Sequence, residues 1–201
     1  MGKPTKFHAG FRRTSLSYTV IFLLLGIVMY KDLQPRIARS SDLAAGSTGG
    51  FAVPEAFSCS MVTEIPLVEC EALVALYDST DGSNWTNNNG WLSTDTPCTW
   101  FGIECINGHV TRLDLRSNQL SGSIPSQLGD LTSLTWLSLE INQLGGSIPP
   151  DLGSLTNLQN LYLDNNLLVG SIPPQLGDLN SLRILALQVN QLTGEIPVQL
   201  G

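Results

Sequence analysis

Residues 131–155 read LTSLTWLSLEINQLGGSIPPDLGSL, and this phrasing recurs along the chain at a fixed interval of 24. Asn118, Asn142, Asn166 and Asn190 form one column; Leu115, Leu139, Leu163 and Leu187 form a second. Gly122, Gly146, Gly170 and Gly194, then Pro125, Pro149, Pro173 and Pro197, keep the same spacing. Four columns at one period mark an array of stacked supersecondary units. Each L-x-L segment alternates with period two, sending Leu113 and Leu115, Leu137 and Leu139, Leu161 and Leu163, and Leu185 and Leu187 to one face of a short strand. Burying such a leucine is worth roughly 1.5 to 3 kcal/mol. One unit cannot bury its own apolar face, so each depends on its neighbours.

The remaining columns read as structure. An asparagine amide at the end of each strand donates to and accepts from turn backbone that would otherwise be buried unpaired, so Asn→Leu there is expected to destabilise. Glycine permits unusual dihedrals and proline fixes the return segment without an N–H, which predicts an irregular or extended convex side. The full pattern, LxxLxxLxLxxNxLxGxIPxxLGxL over about residues 110 to 201, resembles the leucine-rich repeat, and G-x-I-P followed by L-G resembles its plant-type subclass. The resemblance implies an α/β solenoid: a right-handed coil with short parallel strands on its concave face, an irregular convex side and a helical, disulfide-bearing N-terminal cap. It also implies recognition, as in receptor ectodomains and in bacterial or algal surface proteins.

Upstream, IPLVECEALVALYDST places Cys70, Leu73, Val74 and Tyr77 at helical spacing, which predicts a helix from about Pro66 to Asp78. Glu64, Glu69 and Glu71 lie toward its N-terminal end, where the helix dipole favours acids. The following segment is rich in turn formers and holds Trp85, Trp91 and Trp100. Together, residues 59–109 read as a cap that covers the apolar end of the solenoid. Four cysteines in an exported chain imply disulfides with three possible pairings, of which order and proximity favour Cys59 with Cys70 and Cys98 with Cys105. The C-x-W-x-G-x-x-C segment of Cys98, Trp100, Gly102 and Cys105 resembles the plant-type cap, and that resemblance supports the second pair. Asn84-Trp85-Thr86 is a possible glycosylation sequon.

The first 39 residues form a basic N-terminus with a membrane-targeting segment at about residues 16–31, followed by a Ser-, Gly- and Ala-rich linker over 40–58. Its uncharged core, YTVIFLLLGIVMY, is shorter than the ~20 residues that comfortably span hydrocarbon, which favours a cleaved signal. Small residues at the right separation, Ala38 and Ser40, lie about ten positions past the end of the apolar run, too far for an ordinary cleavage site, which favours a retained anchor. The lysine and arginine bias places the N-terminus inside, so the expectation is a single-pass membrane protein with its C-terminal domain outside; a secreted form is the alternative. From Ser40 onward three arginines face sixteen acids, a net of 3 − 16 = −13. Such a charge repels phosphate, so no nucleic acid is expected as a partner.

No catalytic constellation is visible: the folded part has one histidine, His109, without a neighbouring nucleophile, and Asp78 and Asp81 lack the spacing of a calcium loop. The expectation is a non-enzyme without cofactor or metal. Outward strand positions remain, in three columns: Arg112, Trp136, Asn160 and Ile184; Asp114, Ser138, Tyr162 and Ala186; Arg116, Glu140, Asp164 and Gln188. Trp136 and Tyr162 rimmed by charge have the composition of a recognition hot spot for a protein or peptide ligand. Strands ~4.8 Å apart give roughly 20 Å of track, enough for a short peptide or a loop. The array stops inside the fourth repeat without a polar closing cap, which would leave Leu182, Leu185, Leu187, Ile196 and Leu200 uncovered. A fragment of a longer receptor-like protein, a natural truncation and end-to-end self-association all fit that reading.

Overall fold

The computed structural model describes residues 57–200. The targeting segment and nearly all of the linker lie outside the described residues. Among the described residues no helix is long and apolar enough to cross a membrane.

The cap begins with a 3-10 turn at Cys59–Met61 and the helix α1 at Leu67–Ser79. Cys70, Ala72, Leu73 and Leu76 of α1 are buried. Both disulfides join the partners that order and proximity favour, Cys59 with Cys70 and Cys98 with Cys105. Trp85, Trp91 and Trp100 are buried in a chain of contacts with Tyr77 and Phe57, with ring centroids 4.8 to 6.1 Å apart. Each indole N–H has an acceptor, Thr80 O at 2.9 Å, Phe101 O at 2.9 Å and Thr94 Oγ1 at 3.0 Å respectively. Aromatic area is thus buried without stranding a donor. Exposed Asn84, the sequon residue, donates to the Asp81 carboxylate at 2.9 Å within a tight turn.

Two strands, β1 (Ile103–Ile106) and β2 (His109–Asp114), pair as an antiparallel hairpin that joins cap to repeats. After β2 come β3 (Ser121–Ser123), β4 (Trp136–Ser138), β5 (Gln143–Gly145), β6 (Asn160–Tyr162), β7 (Val169–Gly170), β8 (Ile184–Ala186) and β9 (Gln191–Leu192). The concave sheet runs β1-β2-β4-β6-β8 and is parallel from β2 onward. Its register aligns Leu113, Leu137, Leu161 and Leu185, so the period of 24 becomes a stack of leucines facing the core.

The convex side is extended and free of a long helix among the described residues, as the glycine and proline columns predict. β3 pairs with β5 and β7 with β9 in two small parallel sheets, and 3-10 turns occupy Ser126–Asp130, Pro150–Ser154 and Pro174–Asp178. Repeated spacing brings equivalent backbone groups side by side, and unpaired N–H groups then find the neighbouring coil. The 3-10 turns stack so closely that a Cβ at Gly153 would collide with the Gln175 carbonyl oxygen. Glycine is needed there for room.

The residue preceding each column asparagine, Ser117, Ile141, Asn165 or Val189, has φ between 53° and 55°. Ile141 is β-branched and 53% exposed, so it bears left-handed strain while burying little. Ile141→Asn is therefore expected to raise stability by roughly 0.5 to 1 kcal/mol. An unchanged or lower urea midpoint would refute it.

Candidate functional site

The three outward columns stand side by side as the period requires. Arg112, Trp136, Asn160 and Ile184 are in register, as are Asp114, Ser138, Tyr162 and Ala186. The third column follows beyond the strand ends, where Ser117 N–H donates to Glu140 O, Ile141 N–H to Asp164 O and Asn165 N–H to Gln188 O. Ile184 and Gln188 are exposed at the β8 side; Asn160 is half-buried, its amide 3.5 Å from the Tyr162 hydroxyl.

Three of the outward residues are buried. Ser138 retains 1% of its accessible surface, Asp164 5% and Ala186 9%. Large side chains share the face with the two polar ones: the Trp136 and Tyr162 rings lie 5.1 Å apart, and the Arg112 guanidinium sits 4.2 Å over the Trp136 ring. Strand alternation tells which face a side chain takes, and the size of its neighbours decides whether water reaches it.

Charges divide the face. Toward the cap, Asp114 accepts from Arg112 at 2.9 Å and Arg116 at 3.1 Å, and Arg112 Nε also lies 3.5 Å from Glu104. These residues line an open depression of about 480 Å³ beside β1. Toward β6 the balance is acidic: Glu140 has Arg116 only at 3.8 Å, and Asp164 Oδ2 accepts from Asn165 Nδ2 at 2.7 Å. Burial, and then the neighbouring Asp164 charge, hold the Glu140 carboxyl above the usual carboxylate range; Arg116 opposes them and Asp114 adds.

Among the described residues, four buried side-chain polar atoms lack a hydrogen-bond partner: Asp114 Oδ1, Trp136 Nε1, Ser138 Oγ and Asp164 Oδ1. All four belong to the concave columns. Elsewhere the fold satisfies such groups, including the three cap tryptophans, so the concentration of orphans on one face marks it as a place where something else completes the bonding.

The Leucine Rich Repeat family model matches residues 109–131, 133–155 and 157–179. A chain in the solved BIR3–SERK2 complex from Arabidopsis thaliana is 38% identical with a TM-score of 0.56, over 66% of this chain and 73% of that one. The chain belongs to the plant-type leucine-rich-repeat family. The Arabidopsis receptor kinase HAESA, solved with the peptide hormone IDA and the co-receptor SERK1, is 34% identical with a TM-score of 0.53, over 65% of this chain and 23% of that one. A probable leucine-rich-repeat receptor-like protein kinase from Arabidopsis thaliana is 49% identical over 24% of this chain and 7% of its own. The chain spans 7%, 19% and 24% of the lengths of three curated leucine-rich-repeat relatives that it matches.

One paired group within this leucine-rich-repeat fold escaped the sequence reading. Glu69 is not a solvated helix-end acid: it is 2% exposed and bonds His109 Nδ1 at 2.7 Å and Val110 N–H at 2.8 Å. Its spacing with Leu73 and Leu76, at i, i+4 and i+7, was the available signal.

Proposed function

We propose that this protein is a non-catalytic recognition module displayed outside a membrane, and that it binds a protein or peptide through its concave sheet. One contrast carries the reading: the indole N–H groups of Trp85, Trp91 and Trp100 have acceptors, whereas that of Trp136, on the outward face, is buried without one. A buried donor left without a partner costs about 1 to 3 kcal/mol, a cost that a ligand acceptor would remove. The two disulfides support an oxidising, extracellular setting. The solved relative held with a peptide hormone and a co-receptor supports a peptide or protein as the partner class.

Peptides selected from a random display library on the full chain test the reading. Trp136→Ala and Tyr162→Ala are each expected to weaken binding of the selected peptides by roughly tenfold, while the melting temperature moves by less than about 4 °C. Undiminished binding to both variants would remove the concave face from the account.

A further inference from the structure

Resting on that concave-face reading, we infer that the peptide ligand places a basic side chain, lysine or arginine, between Glu140 and Asp164. The backbone puts the two residues side by side in adjacent coils, just beyond the ends of β4 and β6, with Ile141 N–H donating to Asp164 O. The Asp164 charge is, after burial, a cause of the raised Glu140 carboxyl. Two neighbouring acids, one of them buried, favour a cation between them.

Among the described residues no cation fully supplies it. Arg112 and Arg116 are both held on Asp114, at 2.9 and 3.1 Å, and Arg116 approaches Glu140 no closer than 3.8 Å. Asp164 has its Oδ2 on Asn165, while its buried Oδ1 faces no donor. Ser138, two residues before Glu140 on the same face and beside Tyr162 in register, is 1% exposed and its hydroxyl also lacks a partner. The orphaned oxygens call for donors, and the carboxylate among them, Asp164 Oδ1, can only accept.

A peptide with a basic side chain matches each demand. Its ammonium or guanidinium offers several N–H donors to Asp164 Oδ1 and Glu140, its aliphatic stem lies along Tyr162, and a backbone carbonyl accepts from Trp136 Nε1. The aromatic pair beside the acids adds a cation–π surface, of the kind that Arg112 already uses on Trp136. The surplus of acids from Ser40 onward, 3 − 16 = −13, draws the same ligand from a distance.

Keeping Glu140 ionised is not a device for stability. Because its folded-state value is raised, its stabilising contribution is present below the ordinary carboxylate value and is lost as pH rises through the raised value. Glu140→Gln is therefore expected to melt no lower than the parent at neutral pH, so the variant remains a usable probe. A bound cation favours the ionised form, and affinity falls as pH drops through the raised value. Asp164, Arg116 and Asp114 face Glu140 and enter the same titration.

The test selects a random-peptide display library on the full chain at neutral pH and remeasures the selected peptides on variants. The expected peptides are enriched in lysine and arginine, bind Glu140→Gln/Asp164→Asn roughly tenfold more weakly, and lose affinity in mild acid. Selection on Glu140→Lys is expected to shift the enrichment toward acidic peptides. Peptides that depend on Trp136 and Tyr162 without basic enrichment would overturn this inference and leave the concave-face reading standing. Basic peptides that bind the double variant and Glu140→Gln undiminished would also overturn it, assigning their binding to diffuse charge. A selection that enriches nothing, or only peptides indifferent to Trp136 and Tyr162, would overturn both.

Discussion

Asn166→Leu lowers the unfolding free energy by roughly 3 to 5 kcal/mol, read from urea denaturation. The side chain is 6% exposed and makes four bonds that no apolar residue replaces. Its Oδ1 accepts from Leu144 N–H at 3.0 Å, and its Nδ2 donates to the carbonyls of Leu139, Leu163 and Asp164 at 2.9 to 3.2 Å. Leucine fills similar space but leaves the Leu144 N–H and the Leu139 carbonyl unpaired in a dry core, at about 1 to 3 kcal/mol each. Leu144 and Leu139 lie in the preceding coil, so the substitution also uncouples neighbouring repeats in a fold where only neighbours touch. Asn190→Leu is expected to cost less, because Asn190 is only half-buried. A loss below about 1 kcal/mol for Asn166→Leu would show that the column is exchangeable.

The repeating period made most of this architecture readable. Once Leu113, Leu137, Leu161 and Leu185 are assigned to equivalent positions, stacking alone sets the register, and the outward columns follow as Arg112 beside Trp136 and Asp114 beside Ser138. Two features did not follow. The small convex sheets arise where β3 and β5 meet at equal spacing, a consequence of stacking rather than of β-propensity in Ser-Gly-Ser. The burial of Ser138 and Asp164 depends on where the Trp136, Tyr162 and Arg112 side chains lie down, which alternation along one strand does not determine. The candidate site was thus legible as a face and illegible as a set of unmet hydrogen bonds. Those unmet bonds carry its chemistry.

Removing Glu69 is the second large perturbation, with Glu69→Ala expected to cost about 3 kcal/mol. The carboxylate stands on α1 and reaches β2, with Oε1 2.7 Å from His109 Nδ1 and Oε2 accepting from Val110 N–H at 2.8 Å. Val110 is fully buried, so alanine leaves its N–H without a partner and opens a void between helix and strand. Glu69→Gln retains an acceptor for Val110 and is expected to cost about 1 kcal/mol; equal losses for the two variants would assign the effect to charge on the His109 pair rather than to the hydrogen bond. Hydrogen exchange should show α1 and β1 opening before β4 and β6, since the tether joins the cap to the array. β2 carries Arg112 and Asp114 as well, so the carboxylate that closes the cap also anchors the strand against which Trp136 packs. Loss of Glu69 is therefore expected to weaken peptide binding at Trp136 although the two residues stand on different elements, whereas full retention of that binding would mean that β2 holds its register through β4 alone.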